Sequence, residues 1–364
     1  MAEDEPGVNA IHSVFNNCQK SGIIPAMNRK IDEEDHCLNC ISVTTKVFLM
    51  EFGRVEPEEL NEIDFRLPPE PPFNKSTLTG RKKPNARVYI GCSKWGRLEW
   101  IGKIYPSGTK EKDFLQHYVK HFNSIELNAT HYKVYGPKAI ENWRLKADGM
   151  DFLFCPKMYK GVTHFGKLTD KDFLINEFLR GVLTFKEHLG PILVQVSDAY
   201  GPKRKAELFE FLESLPTDVQ FFLEVRHPDW FAKKERSEEL IDTLRRLKMG
   251  FVITDVAGRR DCAHMHLTIP KAFIRFVGNS LHETDHTRID TWVDRMKSWL
   301  AHGIEQVFFF IHMHDEATSP ELAVELVDKL NAACGLNLLK PKFLKEPVLA
   351  RLNACTPDNT RHLH

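Results

Sequence analysis

Eight short apolar segments recur along the middle of the chain, and longer polar segments separate most of them. The apolar segments are VYIGCS (88–93), SIELNAT (124–130), FLFCPKMY (152–159), ILVQVS (192–197), FFLEVRH (221–227), GFVITD (250–255), FIRFVG (273–278) and VFFFIH (307–312). Nearly continuous apolar strands that alternate with helices are typical of a parallel sheet covered on both faces. Eight such units in about 250 residues predict an α/β fold, a closed (β/α)8 barrel of the TIM type.

The segments between the strands have the periodicity of helices. Segments 111–122, 204–215 and 289–300 each place their large apolar side chains on one helical face. After the eighth strand, Ser319 is a predicted N-cap, and Gly335 is expected to end the last helix. The connection between strands 6 and 7 is short and has no convincing helix, so one unit of the barrel is expected to be degenerate.

An open, doubly wound sheet is the alternative fold. That fold would place a glycine-rich phosphate-binding turn after an early strand. The first strand instead ends in the sequence IGCSKWG (90–96), which does not match GxGxxG. The barrel is therefore the preferred prediction.

The chain outside the barrel has a different composition. Residues 1–49 are predicted to be a poorly ordered N-terminal extension, and residues 50–87, with LPPEPP and GRKKP, an extended arm that packs on the barrel. The barrel is assigned to residues 88–335. Residues 336–364 form a C-terminal tail with the polar end TPDNTRHLH.

Charge and composition exclude some classes of function. Lys and Arg number 50, as do Asp and Glu, so the formal net charge is zero, which disfavours general nucleic-acid binding without excluding a local basic patch. No apolar stretch is long enough to span a membrane. The eight cysteines have no disulfide-framework spacing, so we expect a reducing cytoplasm. A zinc site built on the CxxC of HCLNC (36–40) is a weak alternative.

Polar residues at the carboxyl ends of the strands mark the candidate site. In (β/α)8 barrels, catalytic groups lie at these ends and in the loops that follow them. The polar and aromatic residues expected there are Trp95 after strand 1; Glu126, Asn128 and Thr130 on one face of strand 2, followed by Tyr132; Lys157 in strand 3; Gln195 in strand 4; Glu224, Arg226 and His227 in strand 5, followed by Trp230; Asp255 in strand 6; Arg275 in strand 7; and His312 in strand 8.

These residue types predict a site for an anion. Lys157, Arg226 and Arg275 suit a phosphate or carboxylate group. Glu126 and Glu224 are candidates for general acid and base, with His312 assisting. The other substrate-binding candidates are Asn128, Thr130, Tyr132, His227, Trp230 and Trp95. An internal lattice of ion pairs that fills the barrel is the alternative interpretation for each charged residue.

Six motifs carry a resemblance to a known family, and they are YIGCSKWGRLEWIGKIYPSG, FNSIELNATHY, FLFCPKM, LGPILVQVS, FFLEVRHPDWF and FIRFVG. Together they resemble the YecE-like family, also known as domain of unknown function 72. The resemblance covers about residues 88–333 and implies a (β/α)8 barrel whose mouth contains the strand 2, 3, 5 and 7 residues named above. It implies no established activity. The family usually has an aromatic residue and paired asparagines at the end of strand 8, where this chain has FFIHMHD (309–315).

Three functions remain open from the sequence. The preferred one is an enzyme, a hydrolase or lyase, that acts on a small anionic substrate and needs no cofactor. The second is a metal-dependent phosphodiesterase resembling apurinic endonuclease barrels, in which His312 and carboxylates would bind a divalent metal. The cations expected at the mouth would repel such an ion. The third is a non-catalytic barrel that binds a nucleotide or nucleic acid by stacking on Trp95, Tyr132 and Trp230.

Two HMH sequences raise the same question of metal or acid–base chemistry. His312 ends predicted strand 8, His314 lies in the loop above it, and a near copy at 264–266 falls in the connection between strands 6 and 7. Histidines two residues apart on a strand project to one face. Because His312 is expected beside lysine and arginine, an acid–base or hydrogen-bonding role is preferred to a metal ligand.

Overall fold

The structure is a computed structural model that describes residues 53–232 and 234–344. Residues 1–49, the CxxC segment within them and residues 345–364 therefore lie outside the described residues. Within the described part of the chain, none of the helices is long and apolar enough to cross a membrane.

Eight parallel strands confirm the predicted barrel. They are β1 (Arg87–Cys92), β2 (Ser124–Leu127), β3 (Leu153–Pro156), β4 (Ile192–Gln195), β5 (Phe221–Glu224), β6 (Gly250–Asp255), β7 (Lys271–Gly278) and β8 (Gln306–Met313). Their order is β3-β2-β1-β8-β7-β6-β5-β4, with β1 paired to β8. Isolated bridges, Phe154 to Leu189 and Lys157 to Leu193, bring β3 and β4 together and nearly close the barrel.

Helices follow most strands. They are α1 (Asn74–Thr77) in the arm, α2 (Phe114–Tyr118), α3 (Ala129–Tyr132), α4 (Pro137–Arg144), α5 (Lys160–Thr163), α6 (Asp172–Val182), α7 (Lys205–Ser214), α8 (Lys234–Arg246), α9 (Glu283–His302) and α10 (Ser319–Cys334). Thr318, not Ser319, occupies the N-cap of α10. As expected, Gly335 ends that helix, because its φ of 65° lies in the left-handed region that glycine adopts without strain.

Aromatic rings fill the lower half of the barrel, the half nearer the amino ends of the strands. Successive residues of a strand point to opposite faces, so every second side chain faces inward. Tyr89 stacks on Phe308 at 4.9 Å between ring centroids, and Phe273 lies 4.9 Å from Phe310 and 5.4 Å from Phe222. This apolar plug excludes water from below, so the chemistry of the barrel is confined to the layer above it.

Several strands are shorter than the sequence predicted. The second predicted strand, 124–130, ends at Leu127 in the structure, and α3 begins two residues later. Asn128 has helical backbone angles, with φ of −69° and ψ of −20°. The alternation of polar and apolar residues that identifies a strand continues through Asn128, Ala129 and Thr130, which is why the sequence alone overestimated its length.

The predicted degenerate unit is confirmed, and the arm lies against it. Residues 256–270 connect β6 to β7 with one short 3-10 turn, Arg260–Cys262, in place of a helix. The buried Asn74 of the arm donates a hydrogen bond to the carbonyl oxygen of Met265 (2.7 Å), and the backbone N–H of Leu267 donates to Asn74 Oδ1 (3.0 Å). The arm thus supplies packing that a helix provides in the other units.

Replacing Asn74 with alanine is expected to destabilise the barrel by about 1–3 kcal/mol, because it leaves a buried N–H and a buried carbonyl oxygen unpaired. Urea unfolding of the full chain measures this loss. The exposed Asn85 provides the matched control, Asn85→Ala. Equal stabilities of the two variants would show that the arm contributes no net free energy through Asn74.

Candidate functional site

A polar layer lies above the aromatic plug at the carboxyl ends of the strands. Its members occupy the inward positions that follow the plug residues along each strand. Glu126, Lys157, Gln195, Glu224, Thr254, Arg275 and His312 form this layer, here called the mouth layer. Sequence alternation identified six of them. Thr254 was missed, although it lies two residues after the inward-facing Val252.

Arg275 joins the two carboxylates of the mouth layer. Its Nε and Nη2 atoms donate to Glu126 at 2.8 and 3.1 Å, and its Nη1 donates to both Glu224 oxygens at 3.1 and 3.0 Å. All three side chains are buried. The structure therefore places Arg275 in a double ion pair, the arrangement expected from the alternative of an internal ion-pair lattice, so the guanidinium predicted to bind an anion is already engaged by two glutamates.

Glu126 has two further hydrogen-bonding neighbours, His312 and Asn128. The imidazole Nε2 of His312 lies 3.1 Å from Glu126 Oε2, and the Asn128 amide donates to Oε1 at 3.0 Å. Burial alone would raise the pKa of Glu126, but Arg275 and His312 together hold it well below its ordinary value. Glu126 is thus an ionised carboxylate that orients His312.

Glu224 is surrounded by donors. Gln195 Nε2 donates to it at 2.6 Å, Arg226 Nε at 3.0 Å and the Thr254 hydroxyl at 3.3 Å. Burial opposes ionisation of Glu224, yet Arg275, Arg226 and Lys157 bring its pKa to about 2. A carboxylate this well paired is a poor general base at neutral pH, which disfavours the predicted catalytic role of Glu224.

Lys157 differs from the other cations of the mouth layer. It follows β3, and its side chain is only 7% exposed. Among the described residues, the Nζ atom of Lys157 has no hydrogen-bond or ion-pair partner. The atom is not fully enclosed by the protein, so the amine reaches solvent. Burial and the charge of Arg275 lower the pKa of Lys157 to about 8.

Two histidines that were not among the predicted site residues, His131 and His164, lie near Lys157. Burial and the charge of Lys157 lower the pKa of both His131 and His164 to about 4, so both imidazoles are neutral at pH 7. His131 Nδ1 lies 2.8 Å from the Met158 carbonyl oxygen, and the two rings lie 4.8 Å apart. The two neutral rings therefore neither add a positive charge beside Lys157 nor balance its charge.

Three predicted substrate-binding residues have structural contacts instead. The Thr130 hydroxyl is buried, 2.8 Å from the carbonyl oxygens of Leu127 and Lys157. His227 Nδ1 accepts a hydrogen bond from the Asp229 N–H and caps a short turn. Trp230 is only 1% exposed, and its indole N–H donates to the Tyr200 carbonyl oxygen at 2.7 Å. The prediction that Trp230 lies at the rim is therefore wrong.

The other two aromatic candidates differ in exposure. Trp95 is half-buried and packs edge-on against Trp143 at 5.3 Å. Tyr132 is 67% exposed, with Lys160 above its ring at 5.3 Å from the centroid. Of the three aromatics proposed to stack on a base, Tyr132 is the most exposed.

Asp255, expected at the mouth, points the other way. Thr254 faces the barrel interior, so Asp255 faces the surrounding helices. There it accepts from Trp292 Nε1 at 2.7 Å and pairs with Arg288 at 3.1 Å and with Arg260. Asp255 therefore stabilises the packing of α9 and does not reach His312.

The two HMH sequences do not form one site. His312 lies in the mouth layer, and the backbone N–H of His314 donates to the Gly278 carbonyl oxygen in the loop above. In the second copy, the buried His264 stacks on Phe251 at 4.0 Å, and His266 stacks on Phe73 of the arm at 5.5 Å. The second copy thus belongs to the interface between the arm and the barrel.

Among the described residues, side chains arranged as metal ligands occur away from the mouth layer. Asp148, Glu187 and His188 are the one group of three potential ligands that converge there. Arg144 already pairs with Glu187 at 3.0 Å and with Asp148 at 3.6 Å. This group lies near the amino ends of β3 and β4, away from the mouth layer, and the Arg144 guanidinium already engages both of its carboxylates.

The fold and the site define a TIM-type (β/α)8 barrel with a charged layer across its mouth. The family model described as "Protein of unknown function DUF72" matches residues 89–344. The chain belongs to this family, as the resemblance predicted, and the match extends beyond the predicted end at residue 333.

Relatives of known sequence and structure agree with this assignment. The UPF0759 protein YecE of Escherichia coli K12 is 30% identical over 261 residues, which is 67% of this chain and 92% of YecE. The UPF0759 protein YunF of Bacillus subtilis is 26% identical over 152 residues, 40% of this chain and 52% of YunF. A DUF72 family protein from Enterococcus faecalis V583 superposes with a TM-score of 0.54 at 15% identity, covering 71% of this chain and 100% of that protein, and supports the fold alone.

Proposed function

We propose that this protein is an enzyme that acts on a small anionic substrate, bearing a phosphate or carboxylate group, at the mouth of the barrel. The observation that carries the proposal is the Lys157 amine. It is a largely buried cation that reaches solvent but contacts no carboxylate of the described residues. A buried charge without a partner is costly, and a bound anion would remove that cost.

Charge balance in and beside the mouth layer supports the proposal. Arg275, Arg226 and Lys157 contribute three positive charges, and Glu126 and Glu224 contribute two negative ones. Both carboxylates are already engaged by arginine, so the remaining positive charge belongs to Lys157. With a pKa of about 8, about nine-tenths of this amine is protonated at pH 7.

The pair of His312 and Glu126 supplies acid–base chemistry beside this cation. An ionised carboxylate 3.1 Å from the imidazole Nε2 fixes the orientation of the ring. Proton transfer by His312 is compatible with a lyase or a hydrolase. In this proposal Glu126 is a positioning residue, and Glu224 maintains the charge balance.

The two alternative functions have less support. A divalent metal needs free carboxylates, but Arg275 engages both glutamates and Lys157 adds repulsion. Stacking of a nucleic acid is disfavoured because Trp230 is buried and Trp95 packs on Trp143.

The described cysteines are free thiols, which supports our proposal of a reducing, cytoplasmic location.

A thermal-shift screen of small carboxylates and phosphoesters, with and without Mg²⁺ or Zn²⁺, tests the proposal. We expect at least one anion to raise the Tm of the wild-type chain by about 2 °C or more. Lys157→Gln should abolish the shift, because it removes the only mouth cation without a carboxylate contact among the described residues.

Lys138 provides the matched control, because it is exposed and lies on α4, outside the mouth layer. Lys138→Gln should retain the full anion-dependent shift. A shift that survives in Lys157→Gln would contradict the assignment of Lys157. A shift that appears only with a divalent metal would instead favour the phosphodiesterase.

A further inference from the structure

We propose that the anionic substrate carries a carbonyl group next to its carboxylate, as in a 2-oxo acid, and that the Lys157 amine forms an imine with that carbonyl. This inference rests on the proposed function and specifies its substrate class. It gives Lys157 a covalent role that binding of a simple anion does not require.

The position of the amine supports this chemistry. Lys157 directly follows β3, and its backbone forms an isolated β-bridge with Leu193 of β4, which holds the residue in the barrel wall. No described acceptor holds Nζ in a hydrogen bond, so its lone pair is available once the proton leaves. A nucleophilic lysine needs this combination of burial, access and nearby positive charge.

Charges from every side of the barrel act on this amine. Arg275 of β7 and Arg226 after β5 disfavour its protonation, whereas Glu126 of β2 and Glu224 of β5 favour it. His131 and His164, also close to it, are neutral at pH 7. Burial and the arginines prevail, so a larger fraction of Lys157 is unprotonated near neutral pH than of a surface lysine.

The reaction balances without a co-reactant. The neutral amine adds its electron pair to the carbonyl carbon, and the carbonyl oxygen takes up a proton to give a carbinolamine. Loss of that oxygen as water forms the C=N bond. The ammonium ion and the carbonyl compound thus give a protonated imine and water, and one positive charge is present before and after. The carboxylate of the substrate therefore faces one positive charge both before and after imine formation.

Reductive trapping tests the imine. The full chain is incubated with pyruvate and cyanoborohydride near pH 7.5, and each lysine is examined by peptide mass spectrometry. We expect a carboxyethyl group on Lys157 to form about tenfold faster than on any exposed lysine, because more of this amine is unprotonated. Excess lactate, which has the carboxylate but no carbonyl, should slow the labelling.

Lys157→Arg separates this inference from the proposed function, because arginine keeps the charge but forms no imine under these conditions. Labelling of Lys157 in the wild type, with no labelling of the site in Lys157→Arg, supports the imine. Lactate binding to wild type without labelling of Lys157, or labelling no faster than at Lys138, would overturn the imine and leave the anion site intact. Absence of lactate binding and of labelling would overturn the imine, and it would overturn the proposed function as well if no anion in the thermal-shift screen raised the Tm.

Discussion

Arg275→Met is expected to destabilise the barrel by about 3–5 kcal/mol, because it leaves two buried carboxylates without their shared partner. Glu126 and Glu224 each receive two hydrogen bonds from Arg275. In the variant, the pKa values of these carboxyls should rise above those of the unfolded chain. Their protonated forms are then favoured on folding, so the deficit relative to wild type should grow as the pH rises from about 5 to about 7.

Urea unfolding at the two pH values measures this effect. The triple variant Arg275→Met, Glu126→Gln, Glu224→Gln is the matched control, because it removes the ion pairs without leaving charges behind. We expect it to recover much of the lost free energy of unfolding. A single variant as stable as wild type, or a deficit that does not change with pH, would contradict the double ion pair.

His312→Gln is expected to lower turnover about 10²–10⁴-fold on an anion that the wild type converts, the usual effect of losing a general acid or base. Binding should change little, because Lys157 and the ion pairs of Arg275 remain. The kcat measured under saturating substrate, together with the affinity for a non-reacting anion, separates the two effects.

The exposed His302 at the end of α9 provides the matched control. His302→Gln should have wild-type turnover. A proportional loss of binding and turnover in His312→Gln would indicate that His312 recognises the substrate and does not transfer protons. Full turnover in that variant would exclude both roles.

The sequence predicted the barrel because its signals are local. Each buried strand is an apolar run of four to eight residues, and the interruptions by Glu126, Lys157 and Arg275 mark inward positions that must be paired or meet a ligand. The same alternation located most of the mouth layer. The position of a charged residue on a strand was therefore predictable without the structure.

The partners of those residues were not predictable. Whether Arg275 binds substrate or two glutamates depends on which of the other strands its side chain reaches across the barrel, and no sequence pattern encodes that distance. At the ends of strands, an error of one residue reverses the direction of a side chain, as it did for Thr254 and Asp255. Trp230 was misplaced because the turn after β5 folds inward onto Tyr200.

The central claim, that the Lys157 ammonium recognises the anion, is tested most directly by the pH dependence of anion binding. Sulfate is a suitable probe, because its charge is constant from about pH 6 to about pH 10. For the wild type, titration calorimetry should show an affinity that is constant to about pH 8 and then falls by about tenfold per pH unit, as the amine with a pKa of about 8 loses its proton. For Lys157→Arg, the affinity should stay constant to about pH 10. Parallel pH profiles for the two proteins would contradict the claim.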